Sequence, residues 1–480
     1  MSLKKQVKSS LLWSFSDQIV TQIVFVAFGI FLARLVPPSA FGLVGTVTIF
    51  SNFAVLFIDM GFGTALIQKK DADNQHYSSV FWLNLLIGCG LYLLFFAAAP
   101  ILSWFFNEPQ LTLLVRVISI SFIINSLTSV QSNLLVKELK FKQKVIFNWI
   151  AIGVGYSIAF YLAVNNYGVW AIVWMTLCTS TMNSLLYWFS TKWYPSFIFN
   201  TEKIKELSRF GLNVLGDTSV NYWSRNYDNF IIAKVLGSTD LGIYTRAYSL
   251  MLLPLKNISS VITKVLFPAF SKKQDDIPTL KLYYLRIIKC IALLTFPAMI
   301  GLSLISKEFV LIFFGVSWEA MIPVLAILSI VGAVQSIVTL NGMIYNSLGK
   351  ANIAFKISLL VNFVLIIAFS IGVNFGIVGM AYSYLLASVL LFFPIYSTAL
   401  KQLNTTIAEA FMTLRSTLFA TLGMAIVLLI INYLTDIALL KSLLLKVSLG
   451  SITYVTIVYA LEKVFVQSLL TKLKSLLNKG

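Results

Sequence analysis

The 480-residue chain is 58% hydrophobic and only 11% charged, with a mean hydropathy of +0.87. A soluble chain of this length carries far more polar surface, so lipid is the solvent and little room remains for a separate aqueous domain. The net charge of +18 would suit nucleic acid, but the cations collect in short loops on alternate sides of apolar segments, which argues against that partner.

Taken in chain order, apolar windows between polar or Pro/Gly breaks predict fourteen spans. The first six cover 11–36, 40–66, 79–104, 111–135, 145–164 and 168–189. The next six cover 208–236, 241–269, 283–305, 320–348, 353–372 and 377–400, and the last two 412–434 and 442–462. Lys4, Lys5 and Lys8 precede a first apolar run long enough to span, so it is expected to be retained as a helix and not cleaved as a signal peptide. Beyond the last span, Phe465, Leu469, Leu473 and Leu476 recur at helical spacing against Lys472, Ser475 and Lys479. That pattern predicts an amphipathic helix on a membrane surface, in contact with membrane lipid.

Of the 36 Lys and Arg, most fall on the side that holds the N-terminus, among them Lys69, Lys70, Lys137, Lys140, Lys203, Lys272, Lys350 and Lys401. The other side holds Arg34, Arg116, Lys234, Arg246, Lys307 and Lys441. The positive-inside rule then predicts both termini in the cytoplasm and an even number of spans.

Self-similarity predicts a duplication. Ala33-Arg34-Leu35 with Gly42-Leu43 matches Ala233-Lys234-Val235 with Gly242-Ile243 at an offset of 200, which also sets Asp17 over Asp217. Asn166-Tyr167-Gly168-Val169 matches Asn374-Phe375-Gly376-Ile377 at an offset of 208. The fold class expected is therefore an all-α polytopic membrane protein of about fourteen transmembrane helices. Two six-helix bundles in parallel repeat, residues 1–206 and 207–404, are followed by two C-terminal helices and the tail, 405–480. Parallel repeats of this kind are typical of rocking transporters, with substrate near the midplane.

Charged side chains inside spans are costly and usually functional. The first span carries Asp17, Gln18 and Gln22, and the second Asn52 and Asp59. The seventh carries Asp217, Asn221, Arg225 and Asp228 at spacings of four, four and three, on one helical face. The eighth carries Arg246, Lys256 and Lys264. Each also has a bland reading. Arg225 and Asp228 neutralise one another, Asp17 and Asp217 sit near helix N-termini where the macrodipole favours an acid, and Lys264 snorkels. Lys256, with no acid within four residues, is the strongest candidate for meeting an anionic substrate, and Arg246 is the second. The acids are candidates for binding protons or sodium as coupling ions. No metal or other cofactor is expected. Cys89, Cys178 and Cys290 lie far apart in apolar segments, and His76, beside Asn74 and Gln75, reads as a solvated loop histidine.

The stretch Asp59-Met60-Gly61-Phe62-Gly63-Thr64-Ala65-Leu66-Ile67-Gln68 resembles the polysaccharide exporter branch of the MOP superfamily, as does the turn from Arg34 to Leu43. The segment from Asp228 through Gly242-Ile243-Tyr244 to Phe267-Pro268-Ala269-Phe270 is similar to the Wzx-type flippases of the colanic and teichuronic acid exporter subgroup. That resemblance implies two six-helix bundles in a V and alternating access around a polar cavity. It implies an undecaprenyl-pyrophosphate-linked oligosaccharide as substrate, passed from the cytoplasmic to the periplasmic leaflet of the bacterial inner membrane for surface polysaccharide (lipopolysaccharide or exopolysaccharide) synthesis, alongside other polysaccharide assembly proteins. Basic cavity residues meet the pyrophosphate in that family, and Arg225, Arg246 and Lys256 are assigned that role here by spacing. A cation-coupled drug antiporter or a lipid II flippase would share the fold. A polytopic enzyme would need paired carboxylates, a Gly-rich phosphate loop or a nucleophile–base pair, and none is evident.

Overall fold

A computed structural model describes residues 3–434 and 437–477. The side chains of Lys256, Lys264 and most of the tail beyond Lys463 lie outside the described residues. The described chain is helical throughout, and its contacts group into two compact units, Met1–Thr245 and Arg246–Gly480.

The first unit holds α1 (Leu3–Leu35), α2 (Pro38–Asp59), α3 (Phe62–Gln68), α4 (Asn74–Phe106), α5 (Leu111–Ile118), α6 (Ile120–Lys137), α7 (Phe141–Val164), α8 (Val169–Thr191) and α9 (Thr201–Val235). It also holds the first turns of α10 (Ser238–Lys272), which carries the chain into the second unit. Here α1 packs on α7, α7 on α8, α4 on α6, and α9 on α2, α3 and α4. Helix α2 opens on Pro38, whose missing N–H is no loss in a first turn, and ends at Met60 and Gly61, both left-handed, with φ of 43° and 74°. The break divides the second span into α2 and α3 where the sequence reads as one helix. Lys137 repairs the far end of the break by donating to the carbonyls of Leu66 and Lys69 at 2.9 and 2.8 Å, a cation placed where a helix C-terminus is negative.

The second unit holds α11 (Ile277–Leu304), α12 (Ser306–Phe313), α13 (Met321–Val338), α14 (Asn341–Ser347), α15 (Ala351–Gly372), α16 (Gly376–Gln402), α17 (Ile407–Leu434) and α18 (Leu439–Leu477). Its core is built on Tyr284, Tyr345 and Tyr396 with Ile288, Met299 and Leu414. The Tyr284 hydroxyl is satisfied by donating to Asn341 Oδ1 at 3.0 Å, as a buried phenol in lipid requires. Helix α18 departs from helical geometry at Glu462, where the carboxylate takes hydrogen bonds from Lys289 and Ser416 at 2.5 and 2.6 Å.

Large apolar side chains stand exposed all around both units, Phe189 at 81%, Trp104 at 77% and Leu390 at 63% among them. Only lipid covers such a surface without penalty. Among the described residues, eleven helical stretches are long and apolar enough to span a membrane. One of them, Ala351–Gln402, holds both α15 and α16; α9 has the length but is too polar to be among the eleven, and many side chains of α10 lie outside the described residues. The protein is thus a multi-pass membrane protein of about fourteen spanning helices. Packing groups α9 with the first unit, whereas the lobes expected from the sequence divide at 207; contacts define the one division and sequence self-similarity the other.

Candidate functional site

Helix α9 is 35 residues long, about 52 Å at 1.5 Å per residue, and it has two unlike faces. One is aromatic and packed on α2. Trp223 meets Phe53 and Phe50 at centroid distances of 5.3 and 6.2 Å, and Phe230 meets Phe106 at 6.1 Å. Tyr222 donates its hydroxyl to the Ile49 carbonyl at 2.6 Å. The other face carries Asp217, Asn221 and Arg225, all exposed within the unit, and the neighbouring α2 adds exposed Asn52. Arg225 lies ten residues from the end of α9, about 15 Å along the axis, which is near mid-depth in a hydrocarbon layer of about 30 Å. A guanidinium there does not face lipid tails cheaply, so this face meets water. Among the described residues no carboxylate is recorded in an ion pair with Arg225.

The remaining predicted residues are distributed more widely. Asp17 accepts hydrogen bonds from Thr21 at 3.2 Å and from Asn148 of α7 at 3.1 Å. Asp59, at the end of α2, accepts from Ser129 of α6 at 2.7 Å and from the Gly63 backbone at 3.1 Å. Asn221 donates to the carbonyl and the carboxylate of Asp217, at 2.9 and 3.3 Å. These two hydrogen bonds join two of the predicted site residues. Gln18, Gln22 and Arg246 are half-buried. Lys256 falls on α10, but its side chain lies outside the described residues, as does that of Lys264.

Three bland readings change. Asp17 and Asp217 are not near helix N-termini, because α1 begins at Leu3 and α9 at Thr201, and a macrodipole acts only within the first turn. Asp228 is not recorded paired with Arg225; it is buried and accepts from the Asn229 N–H at 2.8 Å and the Tyr244 hydroxyl at 3.3 Å. His76 is not a solvated loop residue. It is 1% exposed, with Nδ1 at 2.7 Å from Asp73 and Nε2 at 3.3 Å from Glu206.

That histidine belongs to a polar cluster which tethers the α3–α4 turn to the start of α9, outside the spanning segments. Glu206 also pairs with Lys69 at 2.9 Å. The hydrogen bonds from Lys69 and His76 hold the Glu206 carboxyl below its ordinary value, and the Glu206 hydrogen bond holds the Lys69 amine above its own. The Asp73 carboxyl is lowered by the His76 backbone N–H that it caps, and by the imidazole. Residues 130 apart in sequence meet here, and no spacing rule finds such a pair. The second unit has a wholly apolar cavity of about 360 Å³ lined by residues such as Phe296, Ile337, Phe392 and Phe411. It has no charged group to meet a polar ligand.

A spanning-helix fold that keeps one helix polar at mid-depth defines a membrane transporter, and solved structures agree on the fold. The lipid II flippase MurJ in an inward closed conformation superposes with a TM-score of 0.74 at 16% identity, covering 95% of this chain and all of that one. A multidrug resistance MATE transporter of the MOP superfamily gives 0.62 at 18% identity, over 80% and 96% of the two chains. The chain belongs to the family described as polysaccharide biosynthesis protein, whose profile matches residues 31–323. It is 31% identical over 364 residues to the teichuronic acid biosynthesis protein TuaB of Bacillus subtilis (strain 168), 74% of each chain. It is 27% identical over 401 residues to the lipopolysaccharide biosynthesis protein WzxC of Escherichia coli (strain K12), 81% of this chain and 80% of that one.

Proposed function

We propose that this protein is a flippase that passes an undecaprenyl-pyrophosphate-linked oligosaccharide repeat unit from the cytoplasmic to the outer leaflet of the bacterial inner membrane, by alternating access, for surface polysaccharide synthesis. The observation that carries the reading is the exposed polar face of α9, with Arg225 near mid-depth, in a chain of a polysaccharide biosynthesis family. A lipid-linked diphosphate presents two problems at once, a tail that stays in lipid and a charged head that cannot. A hydrated helix face beside lipid-exposed helices meets both. A cation in a medium of lower dielectric than water stabilises the diphosphate more strongly than water alone would. Arg225, Arg246 and Lys256 are the cations proposed to meet it, with Asn221, Gln18, Gln22 and Asn52 lining the path; Asp228, buried against Tyr244, does not line it.

The excess of Lys and Arg on the N-terminal side supports cytoplasmic termini. Asp17, Asp59 and Asp217 are the groups through which protons or sodium would couple, and no other cofactor enters the reading. The step moves the lipid without altering it. Other polysaccharide assembly proteins supply the substrate and consume the product. A lipid II flippase or a drug antiporter shares the fold, but the family match favours a polysaccharide precursor.

The test is purified protein in liposomes offered three probes: an undecaprenyl-pyrophosphate-linked oligosaccharide, lipid II and a fluorescent organic cation. Movement of the first alone is expected, with the lipid recovered chemically unchanged. Movement of the cation alone, or of lipid II in preference, would replace the reading. Lys256→Ala is expected to abolish transport at an unchanged protein level; wild-type transport by that variant would remove Lys256 from the site.

A further inference from the structure

Residues 192–200 join α8 to α9 and carry a run of bulky apolar side chains, Trp193, Tyr194, Phe197, Ile198 and Phe199. In water such a segment would turn these side chains inward. The start of α4 holds it otherwise. The Asn74 amide donates to Ser196 Oγ at 2.8 Å and accepts from the Trp193 indole at 2.8 Å. The Trp82 indole donates to the Ser196 carbonyl at 2.8 Å. The Ser196 and Asn200 backbone N–H groups donate to Ser78 and Ser79 Oγ, at 3.0 and 2.9 Å. The Ile198 N–H closes a three-residue turn on the Ser196 carbonyl at 2.7 Å, with Phe197 at its tip. Phe197 is accordingly 94% exposed and Phe199 52%. The segment is a strap fastened to α4 that displays apolar rings outward.

Depth and the helix period say what those rings meet. Helix α4 is 33 residues long, about 50 Å, against a hydrocarbon layer of about 30 Å. Roughly its first seven residues therefore stand among the lipid head groups. The strap is bonded to α4 between Asn74 and Trp82, across that boundary. Phe197 stacks on the Trp82 ring at a centroid distance of 5.3 Å. Leu86, one turn deeper on the same face, is exposed to lipid. The tip of the strap thus continues the lipid-facing stripe of α4.

The flanks supply charge. Lys192 and Lys205 are exposed at either end of the strap, on the membrane side that holds most of the Lys and Arg. Of the neighbouring acids, Glu206 is paired with Lys69. Glu202 lies in the first turn of α9, where the helix N-terminus offsets its charge.

We propose that residues 192–205 form a binding site for anionic phospholipid at the membrane surface that holds the N-terminus. Phe197 and Phe199 enter the boundary between head groups and chains, and Lys192 and Lys205 meet the head-group charge. The contact is shallow and lateral, which suits a phospholipid of the surrounding leaflet. A site for a transported lipid would adjoin the polar face of α9, but Asp217 lies sixteen residues beyond Thr201, about 24 Å along the helix. The proposal does not depend on what the protein transports.

The test uses the full chain in liposomes, with Cys89, Cys178 and Cys290 replaced by serine and a bimane fluorophore on Phe197→Cys. Nitroxides carried on phosphatidylglycerol or on phosphatidylcholine are the quenchers. Phosphatidylglycerol is expected to quench at a mole fraction roughly five- to thirtyfold lower, the preference that one or two lysines at an anionic surface supply. Lys192→Gln combined with Lys205→Gln is expected to abolish that preference. Equal quenching by the two lipids, or a preference that survives both substitutions, would overturn the proposal.

Depth is read with iodide, a quencher confined to water. Bimane on Glu202→Cys is expected to be quenched freely, and bimane on Phe197→Cys or Phe199→Cys to be shielded. Equal iodide quenching at all three positions would place the tip of the strap in water and overturn the site. In a last arm, undecaprenyl-pyrophosphate-linked oligosaccharide is added to the phosphatidylglycerol-quenched protein. Fluorescence that stays quenched supports a phospholipid site, whereas recovery would assign the strap to the lipid-linked sugar and overturn it.

Discussion

Arg225 is where the chemistry concentrates. Its guanidinium is always charged and offers a planar fork that matches a phosphate in two parallel hydrogen bonds, which the point charge of lysine does not reproduce. Arg225→Ala is therefore expected to lower the transport rate by about 10- to 100-fold, the equivalent of one or two charge-assisted hydrogen bonds. Arg225→Lys should retain part of that loss and part of the activity. Initial rates in liposomes check both, and a wild-type rate for Arg225→Ala would make the residue a bystander. The spacing of Asp217, Asn221 and Arg225 made this face legible in the sequence, since i, i+4 and i+8 coincide on a helix. The partners of the acids were not legible. Ser129 and Asn148 are ordinary polar residues of distant helices, and only tertiary packing brings them to Asp59 and Asp17.

Among the elements, the helices most apolar in sequence are the ones read most accurately, and the polar ones carry the detail that was missed. Hydropathy merges α2 and α3 into one span because the left-handed Met60–Gly61 break changes no side-chain polarity. The tether of α9 to the α3–α4 turn went unseen because His76 looks solvated beside Asn74 and Gln75. Its carboxylates predict a dependence on pH. Glu206 and Asp73 titrate lower in the folded protein than in the unfolded chain. Their stabilisation is therefore present above the unfolded values near 4 to 4.5 and is lost as pH falls through the folded ones. Lys69 titrates higher when folded, so its share persists through neutral pH and disappears only under strongly alkaline conditions. Melting temperatures of wild type and Glu206→Gln should thus differ at pH 7 and converge as the pH drops below about 4. A difference that holds constant down to acid pH would exclude the ionic tether. In the second unit, Glu308 of α12 forms a buried ion pair with Lys446 of α18, 3% and 8% exposed at the lysine and glutamate side chains. Lys446→Met strands a buried carboxylate and is expected to destabilise by roughly 3–5 kcal/mol. Adding Glu308→Gln should recover much of that, as read by thermal unfolding in detergent. Equal melting temperatures for the single and double variants would show that the pair contributes no coupling.

For the molecule as a whole, the class of fold followed from composition, because a chain this apolar has no aqueous solution to its burial problem. The repeat read from the sequence rests on its turns and not on its helices. Lipid-facing positions accept any apolar residue, whereas the close backbone approach at Gly42 and Gly242 admits only glycine. The partition of contacts at Thr245 was not legible. It depends on which face of α9 packs, and the aromatic residues that decide this, Tyr222, Trp223 and Phe230, look like lipid-facing residues in a one-dimensional reading. The most direct measurement is a cysteine scan along α9 with an impermeant maleimide, made with and without undecaprenyl-pyrophosphate-linked oligosaccharide. Asp217→Cys, Asn221→Cys and Arg225→Cys should react and Tyr222→Cys and Phe230→Cys should not, with the lipid-linked sugar slowing the reaction at the first three. Reactivity that ignores the helical period, or that the oligosaccharide leaves untouched at Asn221→Cys and Arg225→Cys, would contradict a wet path for the head group along this helix.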